Sequence, residues 1–250
     1  CTATASVNTP NCNCPTIPPP TGNNAAVCQG TTLPALVVSV TAGLQVNWYT
    51  TATGGAPILL NSTSFQPVAA GTWYTESLDP ATGCFSNTRT PVTLTINPLP
   101  VADISGPSNI CAGSSATLQA TGGGNYLWSS SGGTAANATY NNIQTNTAYT
   151  VTVTDSNGCT DDATFTVNVT PMPTLTVTLV ECAPDQQSYS ISFASTGGTV
   201  TSSTGTIVGN TIAGIPISTS SVVLTVTSSS NTNCLITQSV SAPNCQCPPV

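Results

Sequence analysis

The sequence predicts an all-β chain: three tandem β-sandwich domains in a head-to-tail row with proline-rich linkers. Three observations predict it. Apolar residues alternate with polar ones at a period of two over short runs. Good helix formers are scarce, with one Lys or Arg and one Met in 250 residues, while Thr and Val, which favour strands, abound. Proline pairs then punctuate the chain at intervals that suit one small sandwich each.

The elements follow in order. Alternation marks strands at Leu36–Val40, Val92–Ile96, Tyr149–Val153, Phe165–Val169, Leu175–Leu179 and Val222–Val226. Turn signals separate them: Gly54-Gly55, Gly122-Gly123-Gly124, Asn157-Gly158 and Gly197-Gly198. Pro98-Leu99-Pro100 and Pro171-Met172-Pro173 each follow an alternating strand, and Pro18-Pro19-Pro20 follows a Cys-x-Cys. Proline ends sheet pairing and stiffens a linker. The expected domains are therefore 15–98, 99–171 and 172–243, flanked by 1–14 as the tail of a preceding repeat and 244–250 as the start of the next linker.

The two ends of the chain repeat each other. Cys1, Cys12 and Cys14 recur as Cys234, Cys245 and Cys247 at one common offset, and Pro15 recurs as Pro248. The expectation is a longer tandem parent with a period of about 233 residues. The eleventh, odd cysteine is then Cys1, the copy of Cys234, orphaned by truncation.

Eleven cysteines without a single Cys-x2-Cys or His indicate disulfides in an oxidising compartment rather than zinc. Unit one carries Cys28, Trp48, Trp73-Tyr74 and Cys84. Unit two carries Cys111, Trp128, Tyr149 and Cys159. Unit three has Cys182 and Cys234 but no Trp. A Trp between two cysteines with a Tyr before the second is an immunoglobulin-like arrangement, in which the Trp fills the space between sheets. Trp48, Trp128 and Tyr149 are the expected core. That arrangement implies bonds Cys28–Cys84, Cys111–Cys159 and Cys182–Cys234, with bonds between neighbouring units as the alternative. One feature departs from the usual mid-strand placement: Cys111 precedes the strand at Ala116–Ala120, and Cys159 falls in or just after an Asn-Gly turn.

Unit one, with VCQGTT, WY, GTWY, GCFS and VTLTI, resembles the Ig-like modules of Bacteroidota secreted surface proteins. Unit two, with CAGSSATL, YLW and AYTVTVTDSNGCTDDATFTV, is similar to PKD-like and SprB-type repeats of giant gliding adhesins. The resemblance implies type IX secretion, an extracellular cell-surface location and a long tandem parent. It brings no catalytic residues.

Charge narrows the function classes. The net charge is -7 and 4% of residues are charged. One Arg cannot form a basic patch, so nucleic acid is excluded as a partner, and no apolar run is long enough for membrane insertion. Without His or Lys there is no Ser–His pairing, no Schiff base and no isopeptide crosslink. The expectation is a non-enzyme with no cofactor. Its partners are copies of itself along a fibre, with a surface glycan or protein as the alternative.

The remaining candidates are few. Asp155, Asn157, Asp161 and Asp162 form the densest acidic cluster, a weak calcium candidate against an ordinary Asn-Gly hairpin turn. Cys12-x-Cys14 and Cys245-x-Cys247 admit three readings: a bridge tying neighbouring domains or chains, a strained local ring, or a redox pair. Trp73 is the one aromatic surface candidate. Asn61, Asn137 and Asn168 lie in glycosylation sequons. Arg89 is the one tryptic site per period. The chain is expected to act mechanically, giving reach, stiffness and protease resistance. Each domain is expected to be about 35 Å long and each period about 100–120 Å. The alternatives are an adhesin that binds its own ligand, and a subunit polymerised by strand donation or intermolecular disulfides.

Overall fold

A computed structural model describes residues 14–245. Cys1, Cys12 and Cys247 lie outside the described residues. Two compact units divide the chain: one runs to Pro100 and includes Asp155–Cys159, and the other holds Val101–Thr154 and the chain from Thr160 onward. Among the described residues every regular element is a strand. Six sheets, taken in pairs, make three sandwiches. The chain is a tandem array of β-sandwiches.

The first sandwich uses β1 (Thr21–Gly22), β2 (Ala25–Cys28), β3 (Leu36–Ser39), β4 (Gln45–Tyr49), β5 (Ser64–Phe65), β6 (Gly71–Asp79), β7 (Cys84–Phe85) and β8 (Thr90–Asn97). One sheet orders β1-β3-β5. The other orders β2-β8-β6-β4, with β7 paired to β6. Alternation puts Leu36 and Val38 of β3 against Val46 and Trp48 of β4 and Val92 and Leu94 of β8. Strand β2 runs parallel to β8, with Cys28 opposite Asn97.

The second sandwich uses β9 (Asp103–Ser105), β10 (Asn109–Cys111), β11 (Ser114–Thr121), β12 (Asn125–Trp128), β13 (Asn137–Ile143), β14 (Thr147–Thr154) and β15 (Thr160–Thr170). Its sheets are β10-β15-β14-β12 and β13-β11-β9. Tyr149, Val151 and Val153 of β14 point inward with Leu118, Val167 and Trp128. Strand β10 again runs parallel to the last strand, with Cys111 opposite Thr170.

The third sandwich uses β16 (Thr174–Cys182), β17 (Ser188–Thr196), β18 (Gly198–Ser202), β19 (Thr206–Val208), β20 (Thr211–Pro216), β21 (Ser221–Ser228) and β22 (Leu235–Ser241). Its sheets are β16-β17-β20-β19 and β18-β21-β22. Here the first strand pairs antiparallel to the second, and Cys182 faces Tyr189. The core is Tyr189, Ile191, Phe193, Ile212, Ile215, Val222 and Leu224.

The outward positions of these strands are largely Thr and Ser. Hydroxyls pair across strands: Thr72 with Thr93 at 2.9 Å, Thr117 with Thr139 at 2.9 Å, Thr150 with Thr164 at 3.1 Å and Thr174 with Thr196 at 2.6 Å. Such pairs stabilise a pleated surface without ions. This is how a folded surface is compatible with so little charge.

Candidate functional site: cysteine pairs at the sandwich ends

Each sandwich presents a buried cysteine just after its last hairpin turn. Cys84 is 2% exposed, while Cys159 and Cys234 are fully buried. Local chemistry builds these positions. In the second sandwich the Asp155 carboxylate accepts hydrogen bonds from the backbone N–H of Asn157 at 2.9 Å and of Cys159 at 2.8 Å. Gly158 takes a left-handed φ of 81°, which only glycine adopts without strain. The first sandwich repeats the device: Asp79 accepts from the Ala81 N–H and the Thr82 hydroxyl, and Gly83 has a φ of 72°. The third uses Asn231, whose side-chain oxygen accepts from the Asn233 N–H at 3.1 Å.

The bonds these cysteines make differ from the expected set. Cys28–Cys84, Cys111–Cys159 and Cys182–Cys234 do not form. The pairs are Cys14–Cys84, Cys28–Cys159, Cys111–Cys234 and Cys182–Cys245, with Cα–Cα distances of 5.4–5.6 Å. The physical reason is strand length. In the first sandwich Cys28 ends opposite Asn97, while Cys84 faces Asp79 at the other end of the sheet. Roughly 11 residues of strand separate those levels, about 35 Å. In the second, Cys111 lies opposite Thr170 and Cys159 directly precedes Thr160, so the whole of β15 lies between them, again about 35 Å. In the third, Cys182 faces Tyr189, whose hydroxyl donates to the Thr219 carbonyl before β21 begins, while Cys234 follows the turn after β21. A disulfide needs Cα atoms within about 7 Å. The strand-end placement of the cysteines was the available signal, and it outweighs the immunoglobulin-like pattern that suggested pairing within each unit.

Cys14 and Cys245, the described members of the two Cys-x-Cys sequences, are both bonded to distant cysteines. A local ring and a free redox pair therefore do not describe them. The closed segments have sequence separations of 70, 131, 123 and 63 residues. In the chain-entropy model, loops of that size contribute about 4–5 kcal/mol each when taken singly.

The other candidates have structural surroundings. Trp48 is fully buried, donates its indole N–H to the Ser62 carbonyl at 2.8 Å and stacks on Phe65. Trp128 donates to the Ala135 carbonyl at 2.9 Å and meets Tyr140, which stacks on Tyr149 at 3.9 Å between centroids. Trp73, expected at the surface, is a correction: it packs on Phe65 at 5.2 Å and adjoins the first core. Alternation along β6 puts Trp73 on the same face as the buried Thr75 and Ser77. Of the acidic cluster, Asp161 accepts from the Ala102 N–H and Asp162 from the Thr152 hydroxyl, on opposite sides of β15. Among the described residues no three His, Cys, Asp or Glu side chains gather as metal ligands. Of the sequons, Asn61 and Asn137 are exposed, and Asn168 is tied to the Ser108 carbonyl.

Arg89, the one tryptic site expected from the sequence, also has a structural role. Its guanidinium lies 3.3 Å from the centroid of the Tyr49 ring and 3.5 Å from the Glu76 carboxylate. It donates to the carbonyls of Thr51 and Gly54 at 2.8 and 2.7 Å. The side chain is 9% exposed. Burial, and then the hydrogen bond with Glu76, push the Tyr49 hydroxyl above its ordinary range. The one Lys or Arg of the chain thus closes the loop after β4 with its side chain largely buried.

Residues 15–98 match the family model described as Ig-like domain CHU_C associated. The first sandwich is thereby an Ig-like module. No curated protein matches the chain. Among solved structures it is similar to extracellular domains 3–5 of Drosophila OTK, at 15% identity and a TM-score of 0.35, covering 89% of this chain and 94% of that one. An I-band fragment of titin gives 10% identity and a TM-score of 0.40, covering 88% and 95%. The three N-terminal domains of the bacteriophage RB49 outer capsid protein Hoc give 14% and 0.33, covering 83% and 89%.

Proposed function

We propose that the chain is a structural tandem-repeat segment of a long extracellular surface filament or giant adhesin, exported by the type IX route that its resemblance implies. The observation that supports this most is the direction of the bonds at the two Cys-x-Cys sequences. Cys245, in the first position of its pair, is bonded to the preceding Cys182, whereas Cys14, in the second position, is bonded to the following Cys84. The common offset equates Cys12 with Cys245 and Cys14 with Cys247. In a continuous parent each Cys-x-Cys then makes both bonds, one backward and one forward, and fastens successive periods. The domain limits 15–98, 99–171 and 172–243 are part of this reading.

A ligand-binding adhesin module would need an exposed aromatic or apolar patch. Phe85 is the one exposed aromatic among the described residues. The chemistry concentrates at the cysteines, which favours a mechanical role.

The test is an image of the native particle together with gels. A filament with an axial repeat near the length of one period, and a single very large band with and without reductant, supports the reading. Isolated globular particles, or collapse to about 25 kDa on reduction, would sink it.

A further inference from the structure

The four disulfides interlace. Cys28 lies inside the segment closed by Cys14–Cys84, Cys111 inside that closed by Cys28–Cys159, and Cys182 inside that closed by Cys111–Cys234. Cys234 in turn lies inside the segment closed by Cys182–Cys245. We infer that residues 14–245 form a covalent ladder, which no single backbone cut can sever and whose extension on unfolding is capped by the bonded routes. The inference deepens the mechanical reading above, but its chemistry stands on the bonds alone.

Two routes run from Cys14 to Cys245 and share no bond. The first crosses to Cys84, follows the backbone to Cys111, crosses to Cys234 and continues to Cys245. The second follows the backbone to Cys28, crosses to Cys159, continues to Cys182 and crosses to Cys245. Breaking any one peptide bond or any one disulfide leaves the other route intact. This is a stronger property than protease resistance through lack of sites.

The routes also match in length. The first contains about 38 residues of backbone and the second about 37, so at roughly 3.5 Å per residue each is taut near 140 Å, crossings included. The backbone alone, without disulfides, would extend to about 800 Å. Equal routes tighten together and share a load. The long segments 28–84, 111–159 and 182–234, which hold most of the core strands, lie off both routes. Under tension those cores can open without lengthening the chain beyond that limit.

The native sequence supplies its own test. Its single Met, Met172, is spanned by Cys111–Cys234 and by no other bond of the set. Pairing within units would leave it unspanned. Cyanogen bromide cleaves after Met in denaturing acid, where disulfides survive. The chain is prepared with Cys1, Cys12 and Cys247 replaced by Ser, so that only the ladder can hold the halves together. After complete cleavage, one band of the intact size without reductant and two bands with it are expected. Two bands without reductant would overturn the ladder. Trypsin on the denatured, oxidised chain repeats the test at Arg89, spanned by Cys28–Cys159 alone. Stretching the oxidised chain by single-molecule force between handles placed just outside Cys14 and Cys245 gives the mechanical readout. Total extension capped near 140 Å is expected, against roughly six times that after reduction. Unfolding steps of 200 Å or more in the oxidised chain would overturn the inextensible route. Cleavage reads connectivity and imaging reads assembly, so a ladder that is not part of a filament would be recognised as such.

Discussion

The first two sandwiches and the third reach the same end by different means. The first two fill the space between sheets with a Trp, pair their second strand parallel to the last one, and turn their final hairpin with an Asp and a left-handed Gly. The third has no Trp, starts on an antiparallel strand, and turns with Asn231 and no glycine. All three nonetheless place a buried cysteine after that hairpin and another at the opposite end. The difference teaches that core composition and bridge placement are independent. The Trp answers a packing problem local to one sandwich. The cysteine positions answer a problem of how the chain is fastened, and they persist where the packing solution changes.

The largest test of that independence concerns the cores. Trp48→Ala empties a fully buried site that also holds a hydrogen bond and Phe65. A loss of about 3–5 kcal/mol is expected in the first sandwich. Amide exchange in 21–97 should then speed up by about two to four orders of magnitude, with exchange in 174–241 unchanged. The third core spreads its volume over Ile191, Ile212, Ile215 and Leu224. Ile212→Val there should cost only about 1 kcal/mol. An equal response of both sandwiches to Trp48→Ala would mean that the cores are coupled, and the comparison would fail.

Much of the fold was legible because alternation and β-branched residues report a half-buried sheet directly. Tyr149, Val151 and Val153 read as a strand with its inward face already marked. Trp48 and Trp128 were legible as core from their place between two cysteines, the immunoglobulin-like arrangement. The disulfide partners were not, because cysteine spacing carries no information about which end of a sandwich a residue occupies. That information lies in the register of Cys28 with Asn97 and of Cys111 with Thr170, a parallel pairing between segments far apart in sequence. Phe65 was missed because β5 is two residues long and shows no period. The role of Arg89 was missed because it depends on Tyr49 and on two loop carbonyls that only folding brings together.

Arg89 provides the next contrast, since the first sandwich spends the only Lys or Arg of the chain on its own loop. Arg89→Lys keeps the charge but loses the planar fork that serves two carbonyls and stacks on Tyr49. A loss of about 1–2 kcal/mol is expected, seen as faster exchange in residues 50–57. Trypsin should spare the native chain at Arg89 for far longer than the denatured one. Equal cleavage of both would mean that the loop is open in solution.

The smallest effect separates the turns themselves. The Asp79 carboxylate is held below its ordinary value near 3.8, first by the Thr82 hydroxyl and then by the Ala81 N–H. A depressed carboxyl contributes to stability above its unfolded value and loses that contribution as pH falls through the lower, folded value. Asp79 lies at a strand end in an exposed turn, so the consequence is local and is read best as a titration midpoint. Thr82→Val removes the leading cause and should move the Asp79 midpoint upward, measured by carboxyl NMR, while Cys84 stays bonded. The corresponding turn of the third sandwich is held by Asn231, which carries no titratable group. Its amide shifts should stay flat across the same acid range. A shared acid transition in both turns would show that something other than the capping side chain governs them, and the bridge-bearing hairpins would then be one device rather than two.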